Sequence, residues 1–294
     1  MKLAIKCNVI LLAIFGLGLG TAFFIARNYL LNSAREQVLE QARLMMETSS
    51  STRKYTSEHI RPILDKYQRH SAAFYPESVP AFSATQMFAY LRRVYPEYTY
   101  KEATLNPTNP SDRAVDWEAD IISLFRNPPA LPEFIGEREA PNGRLLYLAR
   151  PIQAVESCLE CHSTPAAAPP AMVTVYGRDN GFGWKLNEII GAQIVSVPLS
   201  IAQNLARQAL WRFMGALAGF AVVTLLLLNV ALATAVIRPV MRISAAAIEV
   251  SKGNLSIGEV PVTGKDEIAM LADSLNRIQR SLVKAIRSLE HGEP

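Results

Sequence analysis

Residues Phe213 to Ile237 read FMGALAGFAVVTLLLLNVALATAVI, a long apolar run without a single charged side chain. A helix needs roughly 20 such residues to cross the hydrocarbon core of a bilayer. A second uncharged run, Val9 to Ile25, lies near the N-terminus. The two runs predict two transmembrane helices, with a domain between them and a tail behind the second.

The composition of the chain excludes several classes of protein. It has 294 residues, of which 50% are hydrophobic, and 30 basic against 26 acidic residues leave a net charge of only +4. So small an excess does not indicate binding to nucleic acid. Three cysteines are too few to cross-link a chain of this length, so a disulfide scaffold is excluded as well.

The first apolar run has a second interpretation, a cleaved signal peptide, because Lys2 and Lys6 precede it. However, the run is long and no convincing small-x-small cleavage site stands before Arg27. Cys7 lies ahead of the run instead of behind it, which argues against a lipoprotein signal. We therefore predict an uncleaved membrane anchor.

Basic residues next to the two runs predict their orientation. Lys2 and Lys6 precede the first run, while Arg238 and Arg242 follow the second, so the positive-inside rule places both termini in the cytoplasm. This arrangement is typical of a two-pass protein of the bacterial inner membrane. The predicted segments are a cytoplasmic start (1–8), a first transmembrane helix (9–26), a periplasmic domain (27–211), a second transmembrane helix (212–237) and a cytoplasmic domain (238–290).

Between the two runs, the patterns predict helices first and strands afterwards. Arg27 to about Tyr67 is rich in strong helix formers and has no Gly or Pro before Pro62, which predicts one long helix. The shorter elements are predicted as helices at Ser83–Val94 and Asp116–Phe125 and as strands at Arg144–Ile152, Val173–Tyr176 and Ile189–Val197. The predicted fold class is an α+β, PAS-like extracytoplasmic domain with a long N-terminal helix.

Cys158-Leu159-Glu160-Cys161-His162 has the spacing of a c-type haem attachment motif. Two thiols one helical turn apart can bond to the two vinyl groups of one porphyrin, and the histidine can bind the iron. We expect one covalent haem c per chain, with His162 as proximal ligand. Because haem c is attached outside the cytoplasm, the motif agrees with the predicted orientation.

Two other interpretations of the motif have less support. A zinc site needs four ligands, and the sequence has no second cysteine pair. A thioredoxin-like redox pair is expected within βαβ surroundings, which the sequence lacks.

The second axial ligand of the iron stays open. Histidine, methionine and an open position all occur opposite the proximal histidine. We favour His59, because it lies near the end of the long helix just before Pro62 and would connect the iron to that helix. The alternative distal ligands are His70, Met87 and Met172.

Several segments resemble one family, the PAS-like c-type haem sensor domain first described in cyanobacteria. The similarity covers roughly Arg27 to Ser200. It rests on the haem motif together with the segments Tyr100–Asn109 (YKEATLNPTN), Asp116–Glu118, Phe125, Gly181–Trp184 (GFGW) and Gly191–Pro198 (GAQIVSVP). The resemblance implies a haem-containing redox or gas sensor. Family members can use a cysteine as distal ligand on the preceding helix; here that region has no cysteine, and His59 lies near the corresponding position.

The tail resembles a HAMP linker. Pro239 follows the second run, Gly253-Asn254-Leu255 interrupts the first tail helix, and Asp266-Glu267-Ile268 opens the second. Apolar residues then recur at the spacing of a coiled-coil seam, namely Leu271, Leu275, Ile278, Leu282, Ile286 and Leu289. Two such helix pairs make a parallel four-helix bundle, so we expect an all-α coiled-coil tail and a homodimer.

The leading functional interpretation is transmembrane signal transduction. A periplasmic haem would sense its redox state or a diatomic ligand such as NO, CO or O2. HAMP would pass the signal to a separate cytoplasmic protein, such as a kinase or a chemotaxis-type output, since few residues follow Leu289. The alternative is a membrane-anchored mono-haem cytochrome in electron transfer. An enzyme is not expected, because no nucleophile–base pair or phosphate-binding loop is evident.

Overall fold

The structure is a computed structural model that describes residues 3–68, 73–128, 131–141 and 143–290. The contacts divide the chain into two compact units. We call Arg27–Ala209 the central unit, and Met1–Ala26 together with Leu210–Pro294 the terminal unit.

The chain begins with helix α1, Leu3–Tyr55. Val38, Ala42 and Met46 follow one another at one-turn spacing and are almost fully buried, so this part of α1 has one apolar face against the central unit. The opposite face carries polar residues such as Glu40 and Glu47, which are exposed. The helix predicted from Arg27 onward is therefore present and amphipathic.

A wider π-helical turn, Thr56–Ile60, separates α1 from helix α2, Arg61–Gln68. Here the N–H of Arg61 donates to the carbonyl of Thr56, five residues back. The physical cause is Pro62, which has no N–H and whose ring clashes with the carbonyl four residues earlier. The sequence predicted the extent of this helical segment but not its π turn.

The central unit contains a four-stranded antiparallel sheet in the order β1-β4-β3-β2. The strands are β1 (Thr99–Thr104), β2 (Phe134–Ala140), β3 (Gly143–Gln153) and β4 (Ile189–Pro198). Val195 of β4 lies opposite both Tyr100 and Leu148, so β4 is a central strand. The sequence predicted β3 and β4 but missed the two edge strands.

Within the described residues, four further helices lie wholly in the central unit. They are α3 (Pro80–Val94), α4 (Asp116–Arg126), α5 (Glu156–His162) and α6 (Pro170–Tyr176), with short 3-10 turns at Pro76–Ser78 and Pro110–Asp112. The strand predicted at Val173–Tyr176 is wrong, because these residues form the second half of α6. Pro170 supplies a helical φ at its first turn, and Gly177, with φ +83°, ends it.

Both faces of the sheet are covered by helices. Val195 and Val197 of β4 face a core built with α1 and α3, in which the rings of Phe88 and Tyr100 stack at 4.8 Å. Ala192 and Ile194 of β4 face a second core built with α4. Strand β4 is therefore buried on both sides, and the unit is mostly helical around a small antiparallel sheet; the finer PAS-like assignment stays a prediction.

In the terminal unit, helix α7 (Leu199–Ala231, which starts in the central unit) passes through a second π turn, Leu232–Ile237, into helix α8. This turn also precedes a proline, Pro239. Helices α8 (Arg238–Ser251) and α9 (Glu267–Glu290) form the tail. Two helical stretches, Ala4–Tyr67 and Leu199–Ser251, are long and apolar enough to cross a membrane.

The connector between α8 and α9 is fixed by polar side chains of α9. The buried side-chain amide of Asn276 accepts from the N–H of Val260 and donates to its carbonyl, both at 2.9 Å. The amide of Gln279 donates to the carbonyls of Leu255 and Ile257. The described part of α9 therefore turns a polar and alanine-rich face to its own chain.

Candidate functional site

The three haem-motif residues lie on the short helix α5. Cys158 and Cys161 are separated by one turn, so their side chains lie near the same face of α5. Both thiols are free and half-buried. His162 is the last residue of the helix, which ends with the N–H of Ser163 donating to the Leu159 carbonyl.

The imidazole of His162 is held by two neighbours. Its Nδ1 lies 2.7 Å from the carbonyl oxygen of Gly181 and 3.4 Å from the hydroxyl of Thr108. A carbonyl can only accept, so Nδ1 carries the proton and Nε2 keeps a free lone pair. Burial lowers the pKa of His162, although the Gly181 hydrogen bond opposes this effect. The side chain is thus a neutral imidazole, the form that binds metals.

The loop after α6 supplies most of this environment. Gly181 and Gly183 both have left-handed φ angles, +83° and +81°, which glycine adopts without strain. The N–H of Gly183 donates to the carbonyl of Ser163, and the N–H of Trp184 to that of His162. The indole of Trp184 stacks on the His162 ring, with centroids 3.9 Å apart and planes 13° apart. The loop therefore contacts the end of α5 through both backbone and ring.

Close approach is a second reason for a glycine at position 181. A Cβ there would collide with both the side chain and the Cα of Thr108. Thr108 belongs to the Asn-Pro-Thr-Asn loop after β1, so the two loops pack directly beside the imidazole. The segments that carried the sequence resemblance thus meet at His162.

The long helical segment forms ion pairs on both sides of its π turn, one with α5 and one with β1. Arg61 forms an ion pair with Glu160, the residue between the two cysteines of the motif. Arg53 forms an ion pair with Glu102 of β1. Burial lowers the pKa of Arg53, but the charge of Glu102, with smaller contributions from Tyr100 and Cys158, outweighs burial and raises it. Arg53 therefore lies within electrostatic range of the first cysteine.

Glu102 belongs to a buried polar network. Its carboxylate accepts from the Tyr100 hydroxyl at 2.7 Å, and that hydroxyl accepts from the Gln193 amide at 3.1 Å. Burial, together with the charge of Glu102, raises the pKa of Tyr100, so the phenol stays protonated. Burial and the same carboxylate raise the pKa of Asp112 to about 6. The buried charge of Glu102 requires a partner, and Arg53 is that partner.

Burial also affects the second cysteine. It raises the pKa of Cys161, an effect that the charge of Arg61 opposes. The thiol of Cys161 therefore stays protonated at neutral pH. Within the residues that the structure describes, no three Cys, His, Asp or Glu side chains are grouped as a metal ion would require.

The distal-ligand candidates lie in different surroundings. His59 is in the π turn and exposed, with its ring 5.2 Å from that of Tyr55. The Met87 sulfur lies 3.2 Å from the Thr52 hydroxyl, and the side chain packs against the first core. Met172 on α6 is buried, with 4% of its surface exposed. His70 lies outside the described residues.

Comparisons with known proteins agree with this division of the chain. The Tll0287-like family model matches residues 31–198, more than half of the chain, and a HAMP domain model matches residues 231–291. A solved structure described as the cyanobacterial heme-protein Tll0287 is 15% identical, with a TM-score of 0.42; the match covers 54% of this chain and 94% of that one. No curated protein sequence matches the chain.

These matches define a signalling protein with a sensor-family domain and a HAMP domain, and two long apolar helices indicate that it is a membrane protein. The chain belongs to the Tll0287-like family, a haem-binding sensor family. Within the described residues, sequence reasoning found the motif but not the contacts of Arg53, Arg61, Thr108 and Trp184 around it. The sequence held two signals: the segments Tyr100–Asn109 and Gly181–Trp184 carried the resemblance, and Glu160 is an acid between two cysteines for which a basic partner could be expected.

Alanine substitutions of Gly181 and Gly177 separate the stability lost through close packing from the stability lost through backbone strain. Gly177 has the same φ of +83°, but a Cβ there meets nothing within 4 Å. Both alanine variants carry the strain of a positive φ, about 1–3 kcal/mol at positions such as Gly177 with φ +83° and ψ −170°, and Gly181→Ala adds a clash of about 1–3 kcal/mol. We therefore expect Gly181→Ala to be the more destabilising in urea unfolding of the full chain in detergent. Equal losses at the two positions would contradict the packing described for Thr108.

Proposed function

We propose that this chain is a transmembrane sensor that binds one haem c covalently through Cys158 and Cys161, with His162 as the proximal iron ligand. The observation that carries the proposal is the hydrogen bond of His162 Nδ1 to the Gly181 carbonyl, which leaves the lone pair of Nε2 available. His162 directly follows Cys161, and the thiols of Cys158 and Cys161 are both free. Metal-binding histidines commonly have this second partner, which fixes the tautomer. The donor set thus fits a covalent haem.

When bound, the haem would supply an iron that changes charge on reduction and can take NO, CO or O2 as a ligand. The residues of the chain hold and orient it. The cysteines retain it even if the surrounding pocket is small, and the Gly181 and Thr108 loops hold the imidazole. Burial keeps that imidazole neutral.

We place the sensor domain in the periplasm and both termini in the cytoplasm. Covalent haem attachment occurs outside the cytoplasm, and the basic residues Lys2, Lys6, Arg238 and Arg242 favour the same orientation. The exposed apolar side chains of both runs support membrane insertion. Leu17 is 75% exposed and Leu226 is 62% exposed, which is a large apolar surface for any water-facing helix.

We infer that His59 is the distal iron ligand. It lies in the π turn, and such turns occur often at functional sites because they offset side chains from the regular helical face. Arg53 and Arg61, on either side of this turn, both interact with the surroundings of α5. The Pro62-induced turn therefore offers a place where a change at the iron can alter the helix.

The contacts favour the α1–α2 segment as the route by which the signal leaves the haem. Arg61 is bound directly to the motif residue Glu160, while Arg53 is bound to the sheet through Glu102. A displacement of α5 would move Arg61 relative to Arg53 and change the π turn between them. Since α1 is one continuous helix from Tyr55 back to Leu3, that change is carried along the first membrane helix.

At the cytoplasmic end, HAMP domains typically act in dimers and signal to partner proteins. The coiled-coil seam predicted for α9 is largely uncovered in the single chain: Leu271 and Ile278 are at least half exposed, and Leu282 and Ile286 are also exposed. An apolar row of this kind at heptad spacing requires a partner helix. We propose a homodimer through HAMP and the membrane helices that passes the signal to a separate kinase or chemotaxis-type protein.

The second candidate function is electron transfer by a membrane-anchored mono-haem cytochrome. It would use the same covalent haem, but it gives no role to the HAMP domain at 231–291.

Deletion of residues 238–290 distinguishes the two functions: an electron-transfer protein keeps its activity, whereas a sensor loses its output. The sensor-family domain and HAMP together favour signalling over both electron transfer and catalysis.

Covalent attachment can be tested with all three cysteines. We expect the wild-type chain and Cys7→Ala to keep one haem per chain after denaturing electrophoresis, as measured by haem staining and the pyridine haemochrome spectrum. Cys158→Ala/Cys161→Ala removes both thioether bonds, so its haem should be lost on denaturation. Cys7 is the matched control because it lies in the first apolar run's N-terminal flank. A wild-type chain without covalent haem would falsify the proposal.

His59→Ala tests the distal ligand. If His59 binds the iron, its removal opens a coordination position, so the oxidised spectrum should change from low-spin to high-spin and CO should bind faster. Met87→Ala and Met172→Ala are the matched variants for the two alternative ligands within the described residues. An unchanged spectrum in His59→Ala, with a change in either methionine variant, transfers the assignment to that methionine.

A charge swap tests the route of the signal. In the wild type, we expect HAMP cross-linking to differ between protein with oxidised haem and protein with reduced haem. Arg61→Glu should abolish this difference, and Arg61→Glu/Glu160→Arg should restore it. The readout is bismaleimide cross-linking of Leu282→Cys in a Cys7→Ala background. The pair is exposed and contributes only about 0–1 kcal/mol to stability, so folding should survive.

Arg43 provides the matched control for this swap. It lies on α1 and pairs with Glu40 at 2.9 Å and with Glu133 at 3.2 Å, neither of which belongs to the Cys158–His162 motif. Arg43→Glu should keep the redox-dependent cross-linking. If the swap does not restore the difference, or if Arg43→Glu also removes it, the Arg61–Glu160 route is wrong.

A further inference from the structure

The face of the His162 imidazole is covered by the indole of Trp184. The ring centroids are 3.9 Å apart and the planes differ by 13°, so the rings lie almost parallel and in contact. Most aromatic pairs in proteins have centroids about 4.5–7 Å apart and are offset or edge-on. This pair is therefore unusually close and flat, and it concerns the one imidazole of the motif.

The stacking constrains a motion that the hydrogen bond does not. The 2.7 Å contact of Nδ1 with the Gly181 carbonyl fixes the direction in which Nδ1 points. The second side-chain torsion of histidine is broad, so a single hydrogen bond still allows the ring to tilt about that contact. A flat ring against one face removes this tilt. Together the two contacts define both the direction and the plane of the imidazole.

Trp184 is itself fixed to the residue on which it stacks. Its backbone N–H donates to the His162 carbonyl at 3.2 Å, and the backbone N–H of Gly183 donates to the Ser163 carbonyl at 3.0 Å. The backbone that carries the indole is therefore bound to the end of α5, and Trp184 as a whole is partly exposed.

We propose that Trp184 is a positioning residue for the haem: it sets the plane of the His162 imidazole at the iron and stabilises the oxidised form. This inference rests on the proposed function, because it assigns His162 to iron. Oxidised iron withdraws more charge from its imidazole ligand, which makes the ring more cationic. The face of an indole is electron-rich and stabilises a cation placed over it. Loss of the indole should therefore favour reduction.

The test compares variants of the full chain in detergent. Trp184→Phe keeps an aromatic face, whereas Trp184→Leu removes it. Trp117→Leu is the matched control, because Trp117 lies in the same unit but contacts Tyr147, with ring centroids 5.2 Å apart and planes tilted by 56°. The readouts are the haem reduction potential and the g-values of the oxidised haem in electron paramagnetic resonance, which report the orientation of the axial imidazole.

We expect Trp184→Leu to raise the ratio of reduced to oxidised haem at fixed ambient potential by about tenfold, equal to about 59 mV for one electron. Mutation of a residue that supports a metal-binding histidine typically costs about 10–100-fold in metal affinity or activity, and we take the lower end as the scale of this effect. The g-values should change in the same variant. Trp184→Phe should stay close to the wild type, and Trp117→Leu should leave both readouts unchanged.

A haem-containing Trp184→Leu chain with the reduction potential and g-values of the wild type would overturn the inference while leaving the haem assignment intact. A wild-type chain without covalent haem would overturn the inference and the proposed function together. If Trp184→Leu does not fold, fluorinated tryptophan in a Trp117→Phe/Trp211→Phe background keeps the shape of Trp184 and weakens its electron-rich face. A higher potential in that protein supports the proposal, and an unchanged one overturns it.

Discussion

The hydrogen bond between His162 Nδ1 and the Gly181 carbonyl is the constraint around which the central unit is arranged. To deliver that carbonyl, the chain needs left-handed backbone at Gly181 and Gly183 and a threonine that leaves no room for a Cβ. The same loop then binds the end of α5 through its backbone. One short contact thus explains why two separate loops and a seven-residue helix meet at one imidazole.

Polar residues fix this arrangement to the rest of the fold. Glu102 is buried in β1, and it is tolerated there because Arg53, Tyr100 and the chain around them neutralise or hydrogen-bond it. Arg53 comes from α1, so the sheet, the long helix and the surroundings of Cys158 share one electrostatic network. The π turn Thr56–Ile60, just before Pro62, follows α1 directly, and a second π turn precedes Pro239 at the start of the tail. Both long helices therefore depart from regular geometry just before a proline.

Much of this organisation could be predicted from the sequence, and the failures have physical causes. The two apolar runs, the long helix and strands β3 and β4 follow from composition and periodicity alone. Strand β1 was missed because Lys101 and Glu102 look exposed in a sequence, whereas Glu102 is buried through partners distant in the chain. Val173–Tyr176 has strand-like residues, but Pro170 and Gly177 impose helix boundaries around it. The spacing predicted Cys158, Cys161 and His162 as the candidate site, but not the contacts of Trp184 and Arg61 with it, since those depend on which loops and helices the fold brings together.

The position of the Gly181–Trp184 loop has a consequence for the maturation of the protein. The carbonyl and ring that hold His162 come from residues 19 and 22 positions further along the chain. If the proposed haem is attached during export, the two cysteines emerge before the groups that fix the imidazole. Thioether formation would then need only Cys158–His162, whereas the proposed axial ligation would need the chain through Trp184. Under the proposed function, attachment of the cofactor and acquisition of its final ligand field are therefore separable events.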